Sequence, residues 1–118
     1  SILYYTDEFD DHGKMLRKAL WEFEKDYDAE LYSPANYYSW IQAPIQLHQG
    51  SADESVPQKW SDELVKTLEE LQKDIAYFVY PGADHNLLPA SPSGGLGGPN
   101  AWSQAVEKSM AFYRDHLL

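Results

Sequence analysis

The sequence predicts an α/β fold built on a parallel βαβ unit with helices on either side. Two short runs rich in apolar residues, 44–50 and 75–80, have the length and composition of β-strands. The segment between them, residues 57–71, repeats apolar side chains at the spacing of an amphipathic helix. A strand, a helix and a second strand in this order favour a parallel pair joined by a right-handed crossover.

The length and composition are those of one folded domain. The chain has 118 residues, and 43% of them are hydrophobic. Nine Tyr, four Trp and four Phe residues supply the large apolar groups that disordered chains lack. A packed core is therefore expected.

The charge balance argues against two classes of partner. Nineteen acidic and nine basic residues give a formal net charge of −10 at pH 7, which repels nucleic-acid phosphates and anionic membranes. No apolar run approaches the ~20 residues of a membrane helix, and no signal peptide is apparent. We therefore expect a soluble chain without nucleic-acid or membrane partners, and the compartment stays open.

Cysteine is absent from the sequence, and methionine is absent from its first position. The chain has no cysteine, which excludes disulfide scaffolds, thiol catalysis and cysteine-ligated zinc. It also does not begin with Met, so we expect that residue 1 is not the start of the gene.

Residues 1–40 are expected to be mainly helical, as a cap or a strand-connecting segment. Between Gly13 and Tyr27 the apolar side chains recur every 3.6 residues, which predicts an amphipathic helix. Residues 33–36, SPAN, predict a loop, and residues 37–40 predict a short turn.

Residues 41–118 are predicted to run strand, helix, strand, loop and helix. Pro44 opens the first strand, Gly50 closes it, and Pro57 suits the first turn of the helix that follows. One apolar stripe is predicted on that helix, formed by Trp60, Leu64, Leu68 and Leu71. Residues 81–100 form a loop rich in Pro, Gly and Ser, and such long loops are usually functional or mobile. The last helix is predicted over residues 101–116, with Trp102, Val106, Met110 and Tyr113 on one face.

Asp53 and His85 each come just after one of the two strands. Because functional groups of parallel sheets collect at the carboxyl ends of the strands, we expect the two side chains to lie together. A carboxylate that accepts a hydrogen bond from one imidazole nitrogen fixes the tautomer and leaves the other nitrogen as a base. The alternative is that Asp53 caps a turn or the next helix and that His85 is a polar loop residue.

The sequence around these two residues resembles a known family. Residues 50–57 read G-x-x-D-x-x-V-P, and residues 80–85 read Y-P-G-x-x-H. With the strands that precede them, these motifs resemble the C-terminal half of an α/β-hydrolase, closest to the prolyl-oligopeptidase-like and dienelactone-hydrolase-like serine hydrolases. The resemblance covers about residues 33–118. It implies that Asp53 is the acid and His85 the base of a catalytic triad.

The nucleophile that this resemblance implies is not found in the sequence. The family's serine lies in G-x-S-x-G, and no serine of this chain has that context. Because the triad order of this fold is Ser, Asp, His, we expect the serine upstream of residue 1. The expected partner is then the missing N-terminal half of the same fold, or a self-associating copy.

Two functions follow from these observations. The first is the C-terminal fragment of a serine hydrolase that cleaves an ester or peptide bond through an acyl-enzyme, with no cofactor and no metal. The second is a non-catalytic interaction domain that keeps half of the hydrolase fold. Peptidase and esterase activity are not distinguished by the sequence.

The remaining candidate residues favour structural roles. His48, inside the first strand, is expected to be hydrogen-bonded, and His12 and His116 are expected to be solvated. Residues 7–13, DEFDDHG, lack the glutamate that a calcium loop requires at its last position, so we favour a solvated acidic loop. The run GGLGGPN lacks the lysine of a phosphate loop, and the aromatics of NYYSW, residues 36–40, are expected to pack in a core.

Overall fold

The computed structural model describes residues 10–90 and 100–117, and the chain divides into two compact units, residues 1–40 and 41–118. Residues 10–40 of the first unit form three short helices: α1 at Lys14–Phe23 and two 3₁₀ helices at Ala29–Tyr32 and Pro34–Trp40. Gly13 precedes α1 with a φ of 74°, a left-handed conformation that glycine adopts without strain. Asp11 stabilises the start of the helix, because its carboxylate accepts hydrogen bonds from the N–H groups of Gly13 and Met15, both at 2.9 Å.

The first unit differs from the sequence prediction in three places. α1 ends at Phe23 rather than at Tyr27, because the acidic residues that follow favour turns; Asp28, for example, accepts a hydrogen bond from Glu30 N–H at 3.0 Å. Residues 33–36 are not a simple loop, since Pro34 opens the second 3₁₀ helix. The prediction that the aromatic residues of segment 36–40 pack in a core is wrong for Trp40, whose side chain is 74% exposed.

The second unit has the predicted element order. Its elements are β1 at Ile45–Gly50, α2 at Gln58–Glu70, β2 at Ile75–Tyr80 and α3 at Asn100–Leu117. The two strands are parallel and pair in register, from Ile45 opposite Ile75 to Gly50 opposite Tyr80. The described residues therefore form a mixed α/β structure with a two-stranded parallel sheet, as predicted.

The helices α2 and α3 lie on opposite faces of the sheet. On one face, Ser61 of α2 donates a hydrogen bond to Gln49 of β1, and Tyr77 of β2 donates one to Asp62 of α2 at 2.7 Å. Side chains alternate between the faces of a strand, so the neighbouring residues of both strands face α3. The buried cluster on that face is small and consists of Tyr80, Ala83, Ala101 and Ala105, with Phe78 and Leu87 packed against it.

The buried sides of α2 and α3 do not coincide with their predicted apolar stripes. The buried side of α2 is centred on Ser61, Val65 and Leu68, and Leu71 at the end of the predicted stripe is 40% exposed. On α3, the residues buried against Tyr80 are Ala101 and Ala105, whose small side chains allow a close approach of the helix. The predicted apolar face of α3 points away from the sheet, and its residues are 43–67% exposed: Trp102, Val106, Met110 and Tyr113.

The two strands end in loops whose backbones are in direct contact. A Cβ atom placed on Gly50 would lie 2.3 Å from the carbonyl oxygen of Ala83 and 2.4 Å from that of Asp84. Both atoms belong to the backbone and cannot turn aside. Glycine is therefore required where β1 ends, and this close approach sets the distance between the two loops.

We expect Gly50→Ala to destabilise the fold, because the added methyl group forces the two loops apart. Overpacking of this kind costs about 1–3 kcal/mol, so the urea midpoint of unfolding should fall clearly below that of the parent chain. Lys66→Ala, on the exposed side of α2, is the control and should stay within about 0.5 kcal/mol of the parent. An unchanged midpoint for Gly50→Ala would show that the loops separate freely.

Candidate active site

Asp53 lies in the loop between β1 and α2 and has a nearly buried carboxylate. Its side chain is 6% exposed. One carboxylate oxygen, Oδ1, accepts hydrogen bonds from the N–H groups of Ser55 at 2.9 Å and Val56 at 2.8 Å. Asp53 therefore stabilises the turn that leads into α2, as the alternative reading of this residue predicted.

The other oxygen of the same carboxylate binds His85. The distance from Asp53 Oδ2 to His85 Nδ1 is 2.8 Å, and the imidazole side chain is 54% exposed. The structure thus brings together the two residues that the sequence placed at neighbouring strand ends. One carboxylate therefore both stabilises its own loop and holds an exposed imidazole by a hydrogen bond.

The loop that carries His85 is folded back on itself. The preceding residue, Asp84, accepts hydrogen bonds through Oδ1 from the N–H groups of Asn86 at 2.8 Å and Leu88 at 3.0 Å. Ala83 forms an isolated antiparallel bridge with Pro89. The first ten residues of the predicted long loop are therefore ordered by local hydrogen bonds, and residues 91–99 lie outside the described residues.

Backbone hydrogen bonds join the two strand-end loops. The Tyr80 carbonyl accepts from Ser51 N–H at 3.0 Å and from Ala83 N–H at 3.2 Å, and the Ala83 carbonyl accepts from Ala52 N–H at 2.9 Å. The Ser51 hydroxyl in turn accepts a hydrogen bond from Gly82 N–H at 2.8 Å. These contacts fix the separation of Asp53 and His85 through the backbone, independently of the two side chains.

The Asp53 carboxyl is held in its ionised form. Burial opposes ionisation, but hydrogen bonds from the Val56 N–H, the His85 ring and the Ser55 N–H outweigh it, and the pKa of Asp53 lies below its ordinary value of 3.8. An ionised carboxylate can only accept, so His85 Nδ1 carries the proton. In the neutral imidazole the second ring nitrogen, Nε2, is then the acceptor, and no described residue forms a hydrogen bond with it.

An open cavity of about 570 Å³ lies beside this pair. It is lined by Ser51, Asp53, Asp84, His85, Asn86 and Ala90, among others. The arrangement can accept a proton from a group placed next to Nε2 and return it, which is general acid–base chemistry.

His48 is held in a hydrogen-bonded network, as predicted. Its Nε2 lies 2.8 Å from Gln46 Oε1, which can only accept, and its Nδ1 lies 2.9 Å from the Tyr80 hydroxyl, which donates. Burial, followed by the nearby Lys108 ammonium, lowers the pKa of His48 and favours this neutral form. Sequence reasoning missed Tyr80, whose ring stacks on His48 at 5.8 Å while its carbonyl joins the loops. In the sequence, Tyr80 stands out only as part of the Y-P motif of the resembled family.

The remaining candidate residues stay outside the site. His12 and His116 are exposed, as predicted. Within residues 10–90 and 100–117, no three potential ligand side chains converge on a point where a metal ion could bind. Residues 7–9 of DEFDDHG and residues 94–99 of GGLGGPN lie outside the described residues. No helix in the described part of the chain is long and apolar enough to cross a membrane.

Comparison with known proteins gives one match. The sequence model of the prolyl oligopeptidase family matches residues 1–118 of the chain. No curated protein and no solved structure matches it.

Asp53→Asn should lower the free energy of unfolding of the chain at neutral pH. It should also make that free energy less dependent on pH in the acidic range. The folded-state pKa of Asp53 is depressed, so its ionised form stabilises the fold above about pH 3.8. That contribution is lost as the pH falls through the folded pKa. We expect a loss of about 1–2 kcal/mol at pH 7 from the weakened hydrogen bonds.

Urea unfolding of the parent and Asp53→Asn chains at pH 7, 5, 4 and 3 tests this expectation. The two curves should converge toward pH 3. Asp26→Asn, which removes an exposed carboxylate of the first unit, serves as the control and should follow the parent. A constant difference between parent and Asp53→Asn at every pH would contradict the role assigned to the ionised carboxylate.

Proposed function

The chain belongs to the prolyl oligopeptidase family, and from this premise we propose that it supplies the acid and the base of a serine hydrolase. The reaction would be the cleavage of an ester or peptide bond. The observation that carries the proposal is the 2.8 Å contact between Asp53 Oδ2 and His85 Nδ1 at the ends of two neighbouring parallel strands. In an α/β-hydrolase fold this pair completes a triad with a serine.

In this mechanism His85 moves the protons and Asp53 orients it. Nε2 takes the proton of the serine hydroxyl while the serine oxygen attacks the substrate carbonyl carbon. The imidazolium that forms is stabilised by the Asp53 carboxylate and then protonates the leaving group, which leaves an acyl-enzyme. Water attacks the acyl carbon with the same base, and the serine recovers its proton as the acid product leaves.

The nucleophilic serine is proposed to come from a segment that precedes residue 1. No serine of the chain has the G-x-S-x-G context, and the chain order of this fold places the serine before the acid. Ser51 lines the cavity, but its hydroxyl is engaged as the acceptor of the Gly82 N–H. The absence of the motif is also what favours the second candidate, a non-catalytic interaction domain.

The free edge of β1 indicates where that segment would lie. Ile45 N–H bonds to the Asp74 carbonyl and Ser51 N–H to that of Tyr80, so the alternate residues of β1 direct their backbone groups away from β2. These residues are Gln46, His48 and Gly50. Among the described residues no strand pairs with this edge, and such an edge favours an additional strand.

The exposed apolar face of α3 lies on the same side of the unit. Ser109 of α3 contacts His48 of β1, and Lys108 lies over the rings of β2. Successive residues of a helix are turned by 100°, so Val106 and Tyr113 lie beside Ser109 around the helix axis, on the side that is farther from β2. One partner could therefore cover the β1 edge and this apolar face together, and we propose that it is the N-terminal part of the same fold.

Labelling with a fluorophosphonate tests the proposed triad. In the product of a longer reading frame, we expect the label on a serine that precedes residue 1, within G-x-S-x-G, and none on the serines of residues 1–118. His85→Ala should lower kcat for an activated ester by about 10⁶ and Asp53→Asn by about 10⁴.

His116→Ala, at the exposed end of α3, is the matched control and should retain full activity. The hydrolase proposal fails if the longer product lacks such a serine. The placement of the serine before residue 1 fails if the isolated chain of residues 1–118 itself forms an acyl-enzyme with a burst of product.

Hydrogen exchange tests the proposed position of the partner. The amide groups of Gln46, His48 and Gly50 should exchange quickly in the isolated chain and slowly in the longer product, because a neighbouring strand would occupy them. The outward amide of Tyr77 on β2 should not gain protection from that segment. Slow exchange of the β1 amides in the isolated chain, as a monomer, would show that residues 1–40 cover this edge.

A further inference from the structure

Gln49, the next-to-last residue of β1, carries a buried amide on the side of the sheet that faces α2. The residue is 3% exposed. Side chains alternate along a strand, so Gln49 faces α2 while its neighbour His48 faces α3. A buried amide that lacks hydrogen-bond partners destabilises a fold, so the partners of this amide are informative.

The Gln49 amide forms hydrogen bonds with three groups. Its nitrogen, Nε2, donates to the backbone carbonyls of Gly50 at 2.8 Å and Val56 at 3.0 Å. Its oxygen, Oε1, accepts a hydrogen bond from the Ser61 hydroxyl of α2. Because backbone carbonyls only accept, the nitrogen has to face them, and the orientation of the amide is fixed.

The two carbonyls that Gln49 binds stand on either side of Asp53 in the chain. The Gly50 carbonyl also accepts a hydrogen bond from the Asp53 N–H at 3.3 Å. Val56, on the other side, donates its N–H to Asp53 Oδ1 at 2.8 Å. One buried side chain therefore holds both ends of the turn that carries the carboxylate.

This support is separate from the backbone hydrogen bonds that join the two strand-end loops. Among the described residues, those bonds end at Ala52, one residue before Asp53. The turn at residues 53–56 depends in addition on side-chain hydrogen bonds, those of the Asp53 carboxylate and of the Gln49 amide. The backbone thus brings the loops together, and Gln49 supports the turn that presents the carboxylate.

We propose that Gln49 is a positioning residue of the proposed triad, an inference that rests on the proposed function. By holding the carbonyls of Gly50 and Val56, its amide keeps the Asp53 carboxylate turned toward His85 Nδ1. Gln49 does not line the cavity beside His85, so it acts through Asp53 rather than on a substrate.

The support from Gln49 also bears on the charge of the carboxylate. Burial raises the pKa of Asp53, and the Val56 N–H makes the largest of the contributions that lower it. A displaced Val56 would therefore leave the carboxyl both misplaced and less readily ionised. Either change weakens the hydrogen bond that keeps the imidazole proton on Nδ1 of His85.

Val65 provides a control that separates this role from the packing of α2 on the sheet. It lies one turn after Ser61 on the same buried side of α2 and is 8% exposed. Its side chain is apolar and forms none of the hydrogen bonds of the Asp53 turn. Val65→Ala should therefore weaken the packing of the helix and leave the contact between Asp53 and His85 unchanged.

Nitrogen-15 NMR of the imidazole, in the chain of residues 1–118, tests the positioning without the serine. The His85 signals are assigned by their loss in His85→Ala, and spectra are recorded at about pH 9, where an imidazole is neutral. The parent should carry the ring proton on Nδ1. Gln49→Met keeps the approximate size of the side chain, removes both N–H donors and should show a mixture of the two tautomers. Val65→Ala should match the parent.

Substitutions of Ser61 give a milder test in case Gln49→Met does not fold. Ser61→Ala removes the hydroxyl that holds Oε1 and should shift the His85 tautomers in the same direction by a smaller amount. Ser61→Thr retains a hydroxyl and should restore the parent spectrum. If Gln49→Met does not fold, a parent-like spectrum of Ser61→Ala would contradict the proposal.

Kinetics of the longer product test whether this positioning matters for the reaction. Gln49→Met should lower kcat for an activated ester by about 10²-fold with KM unchanged, as expected for a misplaced catalytic group. Val65→Ala should retain both constants. A longer product without activity would overturn the proposed function, whereas the NMR comparison would still decide the role of Gln49.

Three results would overturn the proposal. One is a spectrum of Gln49→Met in which the His85 proton stays entirely on Nδ1. Another is the same mixture of tautomers in Gln49→Met and Val65→Ala at comparable losses of the urea midpoint, which would assign the effect to lost stability. The third is an active longer product whose kcat is unchanged by Gln49→Met.

Discussion

The close approach of two backbone segments at the ends of β1 and β2 determines the rest of the site. The lack of a side chain at Gly50 allows the carbonyls of Ala83 and Asp84 to lie where a Cβ would be. Through this contact the Tyr80 and Ala83 carbonyls bond to the N–H groups of the opposite loop. The carboxylate and the imidazole are thereby held within hydrogen-bond distance by the backbone, and neither side chain has to order a loop by itself.

The Asp53 carboxylate combines two functions. Its two oxygens have separate functions: Oδ1 accepts the N–H groups of the turn, and Oδ2 accepts the His85 ring. The hydrogen bonds that hold the turn also help to lower the pKa of the carboxyl, so the group that shapes the loop stays ionised toward the imidazole. The structural and the proposed catalytic role are therefore physically coupled rather than alternative.

The distribution of apolar surface distinguishes the two edges of the sheet. The buried cluster between the sheet and α3 is built from Tyr80 and three alanines, while the large apolar residues of α3 face outward. Within residues 10–90 and 100–117 the sheet has two strands and two free edges, and the two edges differ in chemical character. The β1 edge adjoins the apolar face of α3, whereas the β2 edge adjoins Lys108. These two surfaces therefore suit different partners.

The sequence by itself determined the elements of the second unit and the pairing of Asp53 with His85. Strand composition, the proline and glycine positions and the βαβ order are local signals, and a parallel crossover leaves one outcome for residues at the two strand ends. It did not determine which side of a helix is buried. Trp102, Val106, Met110 and Tyr113 form one face of α3, as their spacing requires, but periodicity cannot say whether a face meets the sheet or a partner. Tertiary structure decided that Ala101 and Ala105 pack inward, that Ser61 rather than Trp60 centres the buried side of α2, and that Gly50 is required by a carbonyl 33 residues later in the chain. Each of these depends on a distance between segments remote in sequence, which no local pattern encodes.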